Sequence, residues 1–478
     1  MPSYEYVVVG GGTAGCVLAA RLSEYGVRVL LLEAGSARPL ESMAIPPAWP
    51  SLMGSTADWA DQTVPQRVTG ACVPWPRGRG LGGSSSIKRS EHTEGRDPAL
   101  RGTGGPLMPW PAVQRHPIAE AGLEAAGQAG HPIARDISGG LEEGFGFCDL
   151  SIVDGRRQSA ADAYLTPVLS RPNLDVVTDA LVHRVLLDGD RCTGVEYHVG
   201  AETFVARCTA EVVLAAGTIG TPQLLMLSGI GPADHLKDLG IEVVEDLPGV
   251  GANLHDHPMC GVVYQSAQPV PPGVNNHGEV QGLLSTGIGG HGPDVQLMFV
   301  DVPLRADSLP GPDFGHGYTI AVSLMAPYSR GSLRLAGNRP DAHPVIDPAY
   351  YTDPRDIDIV AAGLRIAREI GAAPALAPWC GGEALPGPEV RAKGDLRSYI
   401  RTNLRSYSHY AGTCAIGTVV DTSLQVNGVS NLRVADASVM PAPISANTNA
   451  TVYAIAERAA QLIRSQPATD GLQGSRTT

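Results

Sequence analysis

The chain has 478 residues, 43% of them hydrophobic and 17% charged, with a formal net charge of −13. That length exceeds one typical hydrophobic core, so two or more domains of a globular protein are expected. There is no basic run and no apolar stretch long enough to span a bilayer, which argues against nucleic acid and membrane as partners.

The first element is a short buried strand over residues 4–9. It runs directly into Gly10-Gly11-Gly12-Thr13-Ala14-Gly15 and an apolar helical stretch from Cys16 to Leu22. A second strand, residues 27–32, ends at Glu33. Gly10 suits the tight strand-to-helix turn, Gly12 lets backbone N–H groups approach a pyrophosphate, and Gly15 lets helix and strand pack closely. The helix N-terminus turns its positive dipole end to the phosphates. Glu33, at the end of the second strand, is placed to accept hydrogen bonds from a ribose diol. This is a dinucleotide-binding start, and by itself it does not separate FAD from NAD.

Residues 36–110 read as long loops, with a second glycine-serine loop at Gly82-Gly83-Ser84-Ser85-Ser86. Strand-like runs follow at 174–177, 182–187, 194–197 and 211–215. Alternating runs at 295–302, 319–325 and 332–335 suggest an antiparallel sheet, interrupted by one helix near 356–370. The last block returns to a strand at 432–435 and a helix at 451–464, whose apolar face is Val452, Ile455, Ala456, Ala459 and Ile463. Residues 465–478 read as a polar, disordered tail. The eight cysteines are scattered without a Cys-x-x-Cys pair, so they read as free thiols of a reducing compartment. With a strand beginning by Tyr4 and no room for a signal peptide, a cytoplasmic location is expected. His255-Asp256-His257 invites a metal reading, but no third ligand cluster follows at suitable spacing, and no metal is expected.

The segments 217–231 (GTIGTPQLLMLSGIG), 247–258 (LPGVGANLHDHP), 77–86 (RGRGLGGSSS), 409–417 (HYAGTCAIG) and 432–441 (LRVADASVMP) resemble, in order, signatures of the glucose–methanol–choline (GMC) flavoprotein oxidoreductases. The resemblance covers nearly the whole chain. It implies an α/β fold: a Rossmann-type FAD-binding domain, discontinuous over 1–110, 145–260 and 411–464, with a substrate domain of antiparallel sheet over 111–144 and 261–410. It implies FAD rather than NAD, held non-covalently. On it, Gly10, Gly12, Thr13, Ala14, Gly15 and Glu33 hold the ADP half. Val182 meets the adenine through its backbone, and Leu81, Gly82 and Ser86 lie along the pyrophosphate-to-flavin path. Asp436 and Ala437 contact the ribityl chain and pyrophosphate, although Asp436 also reads as a turn acid capping a helix.

The resemblance assigns catalysis to His409, which opens the His-x-x-Gly-Thr stretch, and to Asn449 before the last helix. An alcohol oxidation removes a hydroxyl proton and a carbon-bound hydride. A neutral imidazole suits the proton, and a carboxamide can donate to the developing alkoxide. Asn449 also reads as a plain helix N-cap, and Tyr407 as either pocket wall or core.

Two features depart from the family pattern. Lys88 stands where the family has Asn, followed by charged residues, and only a short bridge at 96–101 stands where the family places a long lid. The region 268–294 also looks trimmed. His92 lies near the family's covalent attachment point, but the strand is too altered to assign it that role. The expected activity is oxidation of a small-molecule alcohol, bulky if the entrance is open, with dioxygen or another acceptor as oxidant. The Ala-, Gly- and Pro-rich, Lys-poor composition suggests a high-GC bacterial source and tailoring of a secondary metabolite. The rival readings are a non-redox flavoprotein lyase on the same scaffold and a flavin-binding scaffold that has lost redox activity.

Overall fold

The fold is seen in a computed structural model that describes residues 3–87, 91–92, 104–138, 143–290 and 292–465. Lys88, the bridge at 96–101 and residues 466–478 lie outside the described residues, as do the side chains of Glu91 and His92.

Val7, Val8 and Val9 are apolar in succession, as are Leu30, Leu31 and Leu32, and all six are buried. A strand apolar on both faces belongs inside a parallel sheet covered on both sides. Tyr4–Val9 lies parallel between Val29–Leu32 and the end of Glu202–Leu214. Leu174–Val177 adds to the outer edge of Val29–Leu32, and Leu432–Val434 pairs in parallel with Val212–Leu214. One sheet therefore joins strands from the beginning, middle and end of the chain. The first half of Glu202–Leu214 leaves this parallel layer to pair antiparallel with Arg191–Val199, which pairs in turn with Ala180–Asp188. Arg433, fully buried on the C-terminal strand, makes a two-pronged ion pair with Glu211 (2.9 Å at both contacts). Breaking one partner of such a buried pair strands the other charge, so the pair pins the register of the last strand.

The helix Thr13–Ser23 crosses between the first two strands, and the last helix, Thr448–Ser465, packs beside it. Arg21 Nε and Nη2 donate to Glu457 at 2.8–3.1 Å, and Tyr164 donates to the same carboxylate (3.0 Å). The N- and C-terminal helices are thus fastened together next to the glycine loop.

The second sheet is antiparallel throughout. Its order is Cys380–Leu385, Pro258–Ser266, Gly317–Leu324, Val295–Val300, Gly278–Leu284 and Gly144–Phe147, with Arg405–Ser406 paired to Pro258–Met259. Residues 145–147, which the sequence places with the nucleotide domain, form with Gly144 an edge strand of this sheet. Phe145 and Phe147 cover Gly278–Leu284, and burial of that edge outweighs proximity in sequence. Alternation along Val295–Val300 sorts its side chains. Val295, Leu297 and Phe299 join the main core, with the helices Pro117–Gln128 and Pro354–Gly371 lying against this strand. Met298 and Val300 join a separate cluster with Met259, Val302, Leu304 and Ala321, against which Trp49 and Tyr407 pack. That second face is the one turned toward the cavity described next.

Candidate active site

The two sheets enclose one cavity of about 1260 Å³. This exceeds the usual ~300–1,000 Å³ of a single ligand site, as a cofactor plus substrate requires. Its nucleotide end is built by the glycine loop. Gly10 has φ of +101°, and a Cβ at Gly15 would stand 1.7 Å from the Gly10 carbonyl oxygen, so only glycine permits this turn and this packing. Gly12 is the N-cap of Thr13–Ser23 and no side chain caps the helix. Its first-turn N–H groups therefore lack a side-chain acceptor at a cavity wall formed by Gly10, Gly12, Thr13 and Ala14, the arrangement that receives phosphate oxygens. Val182, Asp436 and Ala437 line the same cavity.

Six of the expected contact residues have other partners within the chain. Glu33 lines the cavity, but its carboxylate accepts from the backbone N–H groups of Gly11 (2.7 Å), Gly35 (2.7 Å) and Gly80 (3.0 Å). It clamps the two glycine loops together and keeps at most part of its acceptor capacity for a ribose. Burial raises its pKa, opposed by those N–H groups. Leu81, Gly82 and Ser86 stand behind the wall: Gly82 donates to Gly11 O (2.8 Å) and Ser86 Oγ to Leu81 O (2.9 Å). Their neighbours Gly83, Ser84 and Ser85 line the cavity instead. Gly15 is turned to the Gly10 carbonyl rather than to the cavity. Asp436 accepts from Ser438 N (2.8 Å), Gly217 N (2.9 Å) and Thr221 Oγ1 (2.6 Å), so it caps two turns besides facing the cavity.

At the other end His409 lines the cavity with Tyr407, their ring centroids 4.2 Å apart. His409 Nδ1 lies 2.8 Å from Nδ1 of His257, the rings edge to face. Asp256 accepts from the His409 backbone N–H (2.7 Å) and from Ser406 Oγ (2.5 Å), and Tyr350 OH donates to it as well. The His255-Asp256-His257 stretch thus grips His409 from behind at two points.

The carboxamide brought to this cluster is that of Asn447. Gln296 Nε2 donates to its Oδ1 (3.1 Å), which turns its Nδ2 toward the Tyr407 hydroxyl (3.5 Å) and the cavity. Asn449 also lines the cavity, but its Oδ1 accepts from Thr13 Oγ1 (3.2 Å) on the glycine-loop helix. It sits inside the first turn of the last helix, which begins at Thr448 rather than 451. Two positions earlier, Asn447 precedes the helix and reaches the antiparallel sheet through Gln296. Among the described residues no group of three or more His, Cys, Asp or Glu side chains converges as metal ligands. Also among them, no helix is long and apolar enough to cross a membrane.

Two family profiles described as GMC oxidoreductase match residues 110–259 and 327–456, and one described as NAD(P)-binding Rossmann-like domain matches 8–37. Human mitochondrial choline dehydrogenase is 38% identical, covering 97% of this chain and 90% of its own length. The chain belongs to the GMC oxidoreductase family. Alcohol dehydrogenase [acceptor] of Pseudomonas putida is 35% identical over 96% of this chain and 95% of its own length. A crystal structure of pyridoxine 4-oxidase from Mesorbium loti superposes with a TM-score of 0.91 at 33% identity, covering 98% of this chain and all of that one. The alignment with the human relative runs over 537 positions, more than the 478 residues here, so it opens gaps in this chain. This GMC protein is a FAD-dependent enzyme, and the uncapped helix start and glycine cradle fit that cofactor's pyrophosphate.

His257 and Asn447 were not legible as site residues from sequence. The family motif containing His257 reads as a structural loop, and Asn447 is two positions from an equivalent asparagine. Asn447 stands immediately before the helix, which begins at Thr448, three residues earlier than the local pattern suggests. Burial holds His257 neutral, lowering its pKa to about 3, with a further push from His255. Burial likewise lowers His255 to about 4. Both folded values lie below the unfolded value near ~6.5, so the unfolded chain binds more protons between about pH 6.5 and 4. Stability is therefore fully present above pH 6.5 and falls as pH drops, by about 1.4 kcal/mol per pH unit for each histidine. Denaturant unfolding at pH 7, 6 and 5 should show that decline. A His255→Gln/His257→Gln double variant with the same slope would reject the assignment.

The glycine of the His-x-x-Gly-Thr stretch has a physical reason as well. Gly412 has φ of +97°, and a Cβ there would stand 2.4 Å from His255 Cε1 and 2.5 Å from Asn253 O. Gly412→Ala is expected to destabilise the fold by about 2–5 kcal/mol through backbone strain and overpacking. Unfolding midpoints within error of wild type would contradict this.

Proposed function

We propose that this protein oxidises a small-molecule alcohol to an aldehyde or ketone, with His409 as the proton acceptor and Asn447 as the group that orients the reacting oxygen. The observation that carries the reading is the His409–His257 contact in the wall of the cavity that the glycine loop opens onto. Two Nδ1 atoms 2.8 Å apart need one donor and one acceptor. His257 is neutral, and the carbonyls of Met325 and Ile444 act on its ring as acceptors. We assign its proton to that side, so its Nδ1 accepts from Nδ1–H of His409. The partner's hydrogen bond then sets the tautomer: Nε2 of His409 carries the lone pair and takes the hydroxyl proton. When it does, the charged ring keeps its Nδ1–H bond to His257, which becomes a stronger, charge-assisted one.

Asn447 Nδ2 donates to the alcohol oxygen as the proton leaves. Gln296 fixes that orientation by holding Oδ1, and Met259, Val302 and Leu304 keep the wall apolar and exclude water. FAD, when bound, supplies the hydride acceptor. We propose that it is held without covalent attachment, and that dioxygen or another acceptor removes the electrons.

The test is an anaerobic screen of alcohols monitored at the flavin absorbance band, with acid precipitation to see whether the colour is released. Bleaching with carbonyl product supports the reading. Product without bleaching would point to a lyase, and a colourless protein that takes up no FAD to a scaffold. Colour retained on the precipitate would show covalent attachment.

A further inference from the structure

Besides Arg77 and Arg79, whose guanidiniums lie over the Trp59 ring, three further arginines line the same cavity: Arg305 after the Val295–Val300 strand, Arg401 in the last turn of the helix Lys393–Thr402, and Arg405 four residues before His409. From these we infer that the alcohol carries an anionic group, a carboxylate or a phosphate, held by Arg305 and Arg401 at a distance from the carbinol carbon. This rests on the alcohol-oxidation reading above and narrows its substrate.

The arginines are gathered at one place. Arg405 Nη1 donates to the Arg305 carbonyl oxygen, and the backbone N–H of Ala306 is held by Asn403 Oδ1 (2.8 Å), two residues after Arg401. Arg305 and Arg401 form no ion pair among the described residues, and Arg305 Nε is buried without a hydrogen-bond partner. Asp307 and Asp313 also line the cavity, but both are exposed and neither neutralises these guanidiniums. Other buried or partly buried arginines find acceptors within the chain: Arg77 on Asp61, Arg368 on Glu383, Arg433 on Glu211, and Arg330 and Arg334 on backbone carbonyls. A protein of net charge −13 has carboxylates to spare, yet it leaves the two guanidiniums of Arg305 and Arg401 without an ion pair on the wall of this cavity. An unpaired guanidinium there is offset by a ligand that supplies the anion.

The cofactor phosphates are not that anion. They belong to the helix start at Gly12, on the parallel sheet, whereas Arg305 and Arg405 follow or form strands of the antiparallel sheet. Between the arginines and His409 lies an apolar wall of Met259, Val302, Leu304 and Tyr407. Four extended residues separate the Cα atoms of Arg405 and His409 by at most ~14 Å. The ligand is therefore an alcohol whose apolar spacer keeps the anion away from the reacting carbon, where a negative charge would oppose alkoxide formation. A quaternary-ammonium alcohol has the wrong charge for this wall.

The experiment compares 4-(hydroxymethyl)benzoate, 4-(hydroxymethyl)phenyl phosphate and the neutral methyl ester of the former in anaerobic flavin reduction by the holoenzyme. Wild-type protein is expected to half-saturate with one of the two anions at roughly ten- to hundred-fold lower concentration than with the ester, the span of a charge-assisted hydrogen bond. Which anion is preferred separates carboxylate from phosphate. In Arg305→Gln and Arg401→Gln, judged folded by their FAD absorbance, that preference falls ten-fold or more. Calorimetric titration of the holoenzyme with 4-methylbenzoate and phenyl phosphate, which carry no carbinol, gives a readout independent of turnover. If no alcohol reduces the flavin but these anions bind and the variants lose the binding, the oxidation reading fails and the anion site stands. Equal use of anions and ester, or no binding of either anion, overturns the inference. So does an unchanged preference with slower reoxidation, which would give the arginines to the electron acceptor.

Discussion

Replacing His409 with Ala is expected to slow anaerobic flavin reduction by ~10²–10⁴-fold while FAD stays bound, since that is the usual worth of a positioned proton acceptor. The His409 ring meets His257 and Tyr407, and Asp256 holds its backbone N–H; none of these lies on the glycine loop, so cofactor retention should not depend on the ring. Added imidazole should restore part of the rate. His257→Phe, which keeps an apolar ring of similar bulk in a fully buried place, tests the tautomer separately. Without an acceptor at His257, the bond that holds the proton of His409 on Nδ1 is lost, and the neutral ring is expected to shift toward its other tautomer. The rate should fall by about 10–100-fold, as for loss of an orienting partner to a histidine, and its pH dependence should shift with it. A purely structural His257 would lower stability but leave the pH profile of the surviving protein where it was. Equal reduction rates in His409→Ala and wild type would remove His409 from the chemistry.

Much of the frame could be read from local pattern. The parallel sheet announces itself because buried strands are apolar on both faces, and the run Val7–Val9 into three glycines has few other physical meanings. The alternation in Val295–Val300 likewise betrays a sheet with two different faces. What could not be read was which face of a motif does the work. His257 and Asp256 sit 152 and 153 residues from His409. Their contact depends on the Arg405–Ser406 strand pairing with Pro258–Met259, a long-range register that no local period encodes. Glu33 shows the converse. Its position at a strand end was legible, but three backbone donors compete for its carboxylate, and those donors come from loops whose mutual approach is a tertiary fact. In the Gly82–Ser86 loop the cavity is lined by Gly83, Ser84 and Ser85, while Gly82 and Ser86 make backbone contacts behind them, a division set by the tertiary approach of the loops. In a tight loop adjacent side chains point to opposite sides, so a one-residue shift exchanges wall for backing.

The same one-turn geometry decides between the two asparagines, and substituting each separately should divide their roles. Asn447→Ala is expected to lower the limiting rate of flavin reduction by ~10²–10³-fold, the cost of one preorganised donor to a developing oxyanion, with FAD retained. Its carboxamide is held by Gln296, whose own Nε2 also reaches Gln281 Oε1 (2.9 Å), so the orientation is fixed from the antiparallel sheet. Gln296→Leu should therefore reproduce part of the loss, by freeing the carboxamide to rotate. Asn449→Ala removes instead the bond to Thr13 Oγ1, which ties the last helix to the start of the glycine-loop helix. Its effect should appear in FAD retention and in the flavin spectrum, with the reduction rate of the FAD-loaded fraction changed little by comparison. The two variants can be read in one stopped-flow experiment on protein of known flavin content. A large rate loss in Asn449→Ala with none in Asn447→Ala would return the role to Asn449 and show that the carboxamide at 447 only packs. Equal losses would mean that the first turn of the last helix acts as one unit, holding cofactor and substrate oxygen through a single rigid element.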